Sequence, residues 1–211
     1  MTMPTLAASP GVIVPAPRDD LCLDFANTRF WRGSDPATET LTEPESLLDW
    51  AESTGGLPAV IAALRERWRG DPGEGRRRLD DALRLREALY AVFAARTGGG
   101  EPAVDDLLAI NGGLARAPAR VRLEPHGDRF AWRIPVPSGL DALLTPVLWS
   151  AGDLLTGPRL TRVRQCANER CRWLFLDDSK SANRRWCSMS QCGNRAKAHR
   201  HYVRRRGQAD G

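Results

Sequence analysis

The sequence of 211 residues contains no run of 18 apolar residues, the length that a helix needs to span a bilayer. We therefore expect no transmembrane segment and no membrane partner. Residues 1–18 lack the charged start and long apolar stretch of a signal peptide, and their many Pro and Ala residues predict a disordered lead-in. These absences favour a cytoplasmic protein, in which paired cysteines hold metal more often than they form disulfides.

Motifs of common enzyme families are also missing. The chain has no Walker loop, no dinucleotide-binding glycine pattern, no H-E-x-x-H and no G-x-S-x-G. It has three histidines, of which His126 falls in a predicted turn while His199 and His201 fall in a basic tail. Because His is the commonest acid–base catalyst, we expect that the protein is not an enzyme. Apolar residues nevertheless make up 42% of the chain, which predicts a globular fold with a core.

Acidic residues are scarce in one part of the chain only. Residues 1–158 carry 17 Lys and Arg against 22 Asp and Glu, whereas residues 159–211 carry 14 against 4. The two parts therefore have net charges of −5 and +10, and no acidic residue lies between Asp178 and Asp210. A mildly acidic body with a strongly basic tail indicates two parts with different functions.

Apolar periodicity and turn residues predict a mainly helical body. A capping-box pattern at Thr42–Glu45 starts one helix, and apolar residues from Val60 to Trp68 repeat at helical spacing in a second. The widest apolar face marks a central helix from Arg76 to Arg96. The remaining predictions for the body are a short helix from Ala103 to about Asn111, a hairpin of strands Val121–Glu124 and Arg129–Ile134, and a helix beginning at Ser138.

Four of the five cysteines form two equally spaced pairs, in the order Cys166, Cys171, Cys187 and Cys192. Two close pairs fifteen residues apart suit a tetrahedral zinc ion, and four thiolates leave no open position for catalysis. Four chance thiols or two disulfides are the alternatives, but the equal spacing argues against the first and the absence of an export signal against the second. We expect one structural Zn²⁺, and we interpret Cys22 as a small buried apolar residue.

The order of elements around the cysteines predicts a treble-clef-like finger. A strand from Leu160 to Arg164, a knuckle from Cys166 to Cys171, a strand from Trp173 to Leu176 and a basic helix from about Ser190 to Arg206 follow one another. This segment has few apolar side chains, and a domain with so small a core usually needs a metal to stabilise its fold. The fold class is thus α+β, a mainly helical domain with a hairpin before a four-cysteine finger. The predicted boundaries are 1–18 for the lead-in, 19–157 for the body, 158–206 for the finger and 207–211 for the tail.

Cations cluster after the second strand of the finger. A run of charges of one sign is unusual for a helix that is merely exposed to solvent, whereas neutralisation of phosphates explains such a run directly. We expect duplex DNA as the partner, bound by a homodimer because one small finger binds weakly. An acidic protein surface is one alternative, and RNA stacked on Trp173 or Trp186 is another, although packing is the default role of both rings. The candidate contacts are Arg184, Arg185, Arg195, Lys197, Arg200, Arg204 and Arg205.

One polar cluster in the body has the character of a pocket, and it consists of Asp24, Asn27, Thr28 and Arg29. Local turn and cap hydrogen bonds are the simplest explanation for these residues. The functional alternative is a site for a small-molecule or stress signal that controls the finger.

The sequence also resembles a known family. Cys192-Gly193-Asn194-Arg195 is similar to the signature of the CGNR zinc-finger family, and the segments Leu21–Thr28 and Leu83–Leu89 resemble the ABATE domain that precedes this finger. The resemblance covers most of residues 19–206. It implies a stress-linked bacterial transcription regulator whose finger binds DNA and whose N-terminal domain senses a signal or dimerises. The competing hypothesis is an RNA-associated or protein-interaction module in which zinc only shapes the docking surface.

Overall fold

The computed structural model of the chain describes residues 11–135 and 139–198. The α-helices in these ranges are α1 Leu21–Ala26, α2 Pro44–Ser53, α3 Pro58–Gly70, α4 Pro72–Thr97, α5 Val104–Arg116 and α6 Gly139–Thr156. The strands are β1 Val12–Pro15, β2 Arg29–Phe30, β3 Thr38–Glu39, β4 Arg122–His126, β5 Arg129–Ile134, β6 Val163–Gln165 and β7 Leu174–Leu176. The α+β class, with small hairpins beside a mainly helical body, is confirmed.

The central helix of the body is α4, as its wide apolar face predicts. It packs against the other five α-helices and against the C-terminal strands β6 and β7. It begins at Pro72 rather than Arg76, because the Asp71 carboxylate accepts the Glu74 N–H at 2.9 Å and caps the first turn. Its buried Leu79, Leu89 and Phe93 are each at most 1% exposed, and each such side chain contributes roughly 1.5–3 kcal/mol of hydrophobic stabilisation.

Two helix ends differ from their predictions. The cap of α2 uses Ser46, whose hydroxyl accepts the Glu43 N–H at 3.2 Å, one residue later than the predicted pattern. Helix α5 continues to Arg116 instead of ending near Asn111. The reason is Gly113, where an added Cβ would lie 2.8 Å from Leu148, so the glycine allows α5 and α6 to pack closely rather than ending the helix. The predicted start of α6 at Ser138 lies outside the described residues.

The hairpin of the body belongs to a three-stranded antiparallel sheet in the order β1-β5-β4. The β4–β5 pair is the predicted hairpin. Strand β1 corrects the prediction that residues 1–18 are disordered, since Val12 pairs with Ile134 and Val14 with Trp132. Burial of Val14 against Ile134 and Trp149 is what orders this part of a Pro-rich segment.

A second small hairpin, β2–β3, was not predicted and is fixed to α4 by ion pairs. Arg86, only 2% exposed, donates two 2.6 Å hydrogen bonds to the Glu39 carboxylate at the end of β3. Arg32, just after β2, donates to the Glu87 carboxylate at 2.6 and 3.1 Å. The loop between the two strands is therefore held in one place above α4.

The C-terminal part departs from prediction at its first element. Pro158–Arg162 form a 3₁₀ helix, and strand β6 begins only at Val163. Strand β7 matches the predicted second strand. The final helix begins as a π-helical turn, Met189–Gly193, and continues through residues 194–198. The part of the basic helix predicted beyond residue 198 lies outside the described residues.

The body and the C-terminal hairpin share one core. Val163, Leu174 and Leu176 from β6 and β7 are buried in the same hydrophobic cluster as the helices of the body. No helix in the described part of the chain combines the length and apolar character that crossing a bilayer requires.

Candidate metal centre

The first cysteine pair lies on a tight turn after β6. The Cys166 N–H donates to the Trp173 carbonyl at 2.7 Å, and the N–H groups of Cys171 and Arg172 both donate to the Asn168 carbonyl, at 2.8 and 3.1 Å. Arg172 has a positive φ of 54°, which redirects the chain into β7. This turn, residues 166–173, is the predicted knuckle, and it places both thiols on the same side of the hairpin.

The second pair flanks the start of the final helix. Ser188, between the two cysteines, accepts the Gln191 N–H on its hydroxyl at 3.4 Å. Asn194 donates to the Ser190 carbonyl at 3.2 Å within the same turn. An added Cβ on Gly193 would lie 2.8 Å from the Met189 sulfur, so this glycine leaves room for that side chain.

The four sulfur atoms converge. All four Sγ atoms lie within 4.8 Å of one another, and Cys187 is 3.8 Å from both Cys171 and Cys192. Four ligands about 2.3 Å from a central zinc ion are about 3.8 Å apart along the edges of the tetrahedron. Cys166, Cys171, Cys187 and Cys192 therefore fit one zinc ion. A closed set of four thiolates makes that ion structural.

The protonation of the thiols also favours a cation. Hydrogen bonds from Cys171 and then Cys187 lower the pKa of Cys166 to about 2. The bond to Cys166 raises the pKa of Cys171 to about 12, and the same partner raises the pKa of Cys187. One thiolate is thus stabilised by its neighbours' protons, which a metal ion replaces when it binds.

Cys22 is separate from this cluster. It is 0% exposed, and burial raises the pKa of its thiol to about 12, so it is an inert core residue as predicted.

Polar and aromatic groups enclose the sulfurs. The Asn168 side-chain amide donates to the Cys192 sulfur at 3.5 Å, the kind of bond that orients a metal ligand. The rings packed against the buried cysteines are those of Trp31, Trp173, Phe175 and Trp186. Trp173 and Trp186 therefore have the packing role that was the default for them.

The body contributes directly to this centre. The Gly33 N–H donates to the Arg170 carbonyl at 3.1 Å, and the Tyr90 hydroxyl on α4 donates to the Arg172 carbonyl at 3.0 Å. An added Cβ on Gly33 would lie 1.7 Å from the Glu169 carbonyl oxygen. The turn formed by residues 31–34 is thus pressed against the knuckle.

The predicted basic residues divide into two groups. Arg184, Arg185, Arg195 and Lys197 are exposed, whereas Arg200, Arg204 and Arg205 lie outside the described residues. Three of the guanidinium groups lie over aromatic rings at the centre: Arg184 over Phe175 at 5.0 Å, Arg185 over Trp186 at 5.4 Å and Arg195 over Trp31 at 4.6 Å.

The predicted polar cluster of the body is engaged in internal contacts. Asn27 donates to the Leu174 carbonyl at 2.7 Å and accepts the Leu174 N–H at 3.0 Å. Thr28 donates to the Phe25 carbonyl at 2.8 Å, Asp24 pairs with Arg18, and Arg29 lies 3.5 Å from Glu87. These contacts use the polar atoms within the protein and give the pocket interpretation no support.

Two contacts were not predicted from the sequence, namely that of Trp31 with the cysteines and that of Arg86 with Glu39. Neither has a local signal, because the partners of Trp31 lie more than 130 residues away and Glu39 is 47 residues from Arg86. The charged Arg86 within an otherwise apolar helix face was the one available hint, since a buried arginine requires a partner.

Two family models match the chain. The ABATE model, described as "Putative stress-induced transcription regulator", matches residues 19–158. The CGNR zinc finger model matches residues 162–205. No curated protein matches significantly. The two matches confirm the resemblance and follow the predicted order of the two parts.

Proposed function

Because the chain belongs to the ABATE family and ends in a CGNR zinc finger, we propose that it is a zinc-dependent transcription regulator that binds duplex DNA through the finger. The zinc ion, held by the four cysteines, fixes the loops that carry the cations. The proposal gives the protein no catalytic step, since a zinc ion with four thiolate ligands has no open position. It also places the protein in the cytoplasm.

A surplus of exposed cations carries the proposal. Around the metal centre, seven cationic side chains are exposed, and none of them forms an ion pair with a residue in the described ranges. Uncompensated charge of this density produces a positive potential that attracts phosphates. The seven are Arg170, Arg172, Lys180, Arg184, Arg185, Arg195 and Lys197.

Most arginines in the described part of the body lie against carboxylates instead. Arg65 lies against the carboxylates of Glu45, Asp49 and Glu52, and Arg120 donates to Asp153 at 2.8 and 2.9 Å. The body carries 22 acidic residues against 17 basic ones, so carboxylates are at hand for its arginines. The finger differs because it has few acidic residues, and this favours an external anionic partner.

A hydrogen-bonded loop of the finger positions two of these cations, Arg184 and Arg185. The Asp177 carboxylate, 0% exposed, accepts the N–H groups of Ser179 and Arg184 at 3.0 and 2.8 Å and the Ser179 hydroxyl at 2.6 Å. The hydroxyl bond and then the backbone bonds lower the pKa of Asp177. The one buried carboxylate of the finger is thus used to shape the loop before Arg184 and Arg185.

Dimerisation through the body is part of the proposal. A single finger offers few contacts, and dimers that bind two half-sites are the usual remedy. Helix α5 exposes apolar side chains that support this role, with Val104 70% and Leu108 60% exposed. Sedimentation of the free protein tests it. The alternative function for the body, sensing a signal, requires a ligand to change the affinity for DNA.

The salt dependence of binding tests the main proposal. Fluorescence anisotropy with a labelled duplex at several salt concentrations should give a steep slope. Arg184→Ala and Lys197→Ala should each lower that slope by about 1, as expected for one lost phosphate contact. Arg69→Ala, an exposed arginine on α3 paired with Glu66, is the matched control and should leave the slope unchanged. Slopes that are equal in all four proteins would contradict the assignment, and stronger binding to RNA would favour the RNA-associated module.

A further inference from the structure

A groove of about 630 Å³ opens beside the metal centre, between the body and the finger. Trp31 lines it from the body, while Trp186, the knuckle residues 167–170 and Arg195 line it from the finger. Its volume falls in the range of about 300–1,000 Å³ typical of small-molecule sites. Trp31 is the contribution of the body to this lining, and the other lining residues belong to the finger.

The body side of the groove is held in an uncommon conformation. Trp31 has a positive φ of 53°, a region that bulky residues rarely adopt. The conformation persists because its neighbours are fixed: Ser34 donates to the Trp31 carbonyl at 2.8 Å, Gly33 donates to the knuckle, and Arg32 donates to the Ala26 carbonyl at 2.8 Å. This framework keeps the Trp31 ring at the groove, half-buried against the cysteines.

The groove combines aromatic surface with positive charge. Both tryptophans are only partly buried, and each has a guanidinium group over its ring. Arg170 and Arg195 are the two exposed cations of the lining, and Glu169 is its acidic member. A simple anion would leave the indole rings unused, and an apolar ligand would leave the arginines unpaired. A planar ring that carries a negative charge uses both.

We propose that this groove binds a nucleotide, with the base against the indoles of Trp31 and Trp186 and the phosphate on Arg170 and Arg195. Every base has a flat face that stacks on an aromatic side chain, which explains the paired rings. The Arg195 guanidinium can lie on Trp31 with one face while its N–H groups reach a phosphate oxygen. The nucleotide is either a free mononucleotide or one unit of a single strand, since both offer the same chemistry.

The site shares Arg170 and Arg195 with the surplus cations proposed to attract duplex DNA, but its two tryptophans require a free base. Bases in a duplex are stacked on one another and do not present a free face to the groove. Substitutions of Trp31 and Trp186 are therefore expected to affect nucleotide binding without changing the salt slope that Arg184 and Lys197 determine.

Isothermal titration of the full-length, zinc-loaded protein with AMP and GMP tests the proposal, with inorganic phosphate and adenosine as partial ligands. Both mononucleotides should bind more tightly than either partial ligand. Trp31→Leu should weaken binding at least about fivefold, the lower end of the contribution from base stacking, and Trp31→Phe should restore part of it. Arg170→Ala should weaken AMP binding but not adenosine binding. The hydrogen bond from the Gly33 N–H to the carbonyl of residue 170 does not involve the side chain, so this substitution leaves it in place. Arg129→Ala, an exposed arginine on the distant β4–β5 hairpin, is the control.

Competition distinguishes the two sources of the nucleotide. Displacement of AMP by a short single-stranded oligonucleotide identifies a strand as the ligand, and undiminished AMP binding in its presence identifies a free nucleotide. The proposal is overturned if neither AMP, GMP nor the single strand binds, or if Trp31→Leu and Arg170→Ala both bind as the wild-type protein does. Duplex binding measured on the same variants shows separately whether the proposed function holds.

Discussion

Asn27 shows how one side chain can join two parts of a chain. Its amide group is complementary to a peptide unit, donating to the carbonyl and accepting from the N–H of Leu174 in β7. The residue is 6% exposed, so these bonds replace water that cannot reach the site. The sequence marked Asn27 as part of a polar cluster, but its partner is 147 residues away and no local pattern reveals it.

Replacing Asn27 by Ala should destabilise the protein by about 2–3 kcal/mol, because the buried N–H and carbonyl of Leu174 lose their partners. Urea denaturation measures the change. Asn111→Ala, an exposed position on α5, is the control and should change the free energy of unfolding by less than about 0.5 kcal/mol. Equal effects of the two substitutions would contradict the assigned role.

The Glu39–Arg86 pair makes stability depend on pH. Burial alone would raise the pKa of Glu39, but hydrogen bonds from Arg86 and from the Leu41 N–H outweigh burial and lower it. A carboxyl with a lowered folded-state pKa contributes stability that is complete above its unfolded pKa of about 4.3 and lost as the pH falls through the folded value.

Glu39→Gln should therefore lower the free energy of unfolding at pH 7 by about 2 kcal/mol. This is less than the roughly 3–5 kcal/mol of a fully broken buried pair, since Arg86 keeps its 2.9 Å bond to Glu87. The difference from wild type should shrink as the pH falls below about 4.3. Denaturation curves between pH 7 and pH 3 measure it, and comparing the two proteins cancels the shared loss of zinc in acid. Glu101→Gln, at a carboxylate 91% exposed, should show no such trend.

At the scale of elements, the turn of residues 31–34 brings the body to the metal centre. It connects β2 to β3, and the ion pairs on α4 fix both strands. Its contact with the knuckle is a close approach of two backbones at Gly33. The same ion pairs thus position Trp31 beside the cysteines.

Gly33→Ala should separate this turn from the knuckle, because the new Cβ would lie 1.7 Å from the Glu169 carbonyl oxygen. We expect zinc release to a chelator to become about tenfold faster, as for a loss of about 1.4 kcal/mol. Gly70→Ala, at the end of α3 with nothing within 4 Å of the added Cβ, is the matched control. Unchanged release from the Gly33 variant would show that the contact does not support the metal site.

Elements with a strong local pattern could be predicted, and those that depend on distant partners could not. The periodicity of α3 and α4, the β4–β5 hairpin and the cysteine spacing are properties of short segments. Strand β1 pairs with a strand 120 residues away, and β2 and β3 have two residues each. Such short strands carry too few residues to show alternation, and only the folded core selects them.

In the whole molecule, the body and the finger differ in net charge, but they share one hydrophobic core. The predicted boundary near residue 157 follows the change in net charge. The core continues across it, since β6 and β7 bury their apolar side chains among the helices. We therefore expect the metal site to stabilise more than the fifty residues around it.

Removing zinc should therefore destabilise the helical body as well as the finger. The thermal midpoint of the helical circular dichroism signal should fall. A loss of about 4 kcal/mol corresponds to a shift of roughly 10 °C in a protein of this size. Cys171→Ser should reproduce the shift, whereas Cys22→Ala should retain one zinc per chain. A helical transition that is unchanged without zinc would show instead that the body folds independently.

Zinc-dependent binding of duplex DNA is tested by a DNA titration across salt on the same sample before and after zinc removal, with zinc content assayed. We expect one zinc per chain, binding that weakens steeply with salt, and loss of that binding when the metal is removed. One zinc per chain with no duplex binding, or with binding insensitive to salt, would contradict this expectation and would identify the finger as a docking surface for another partner.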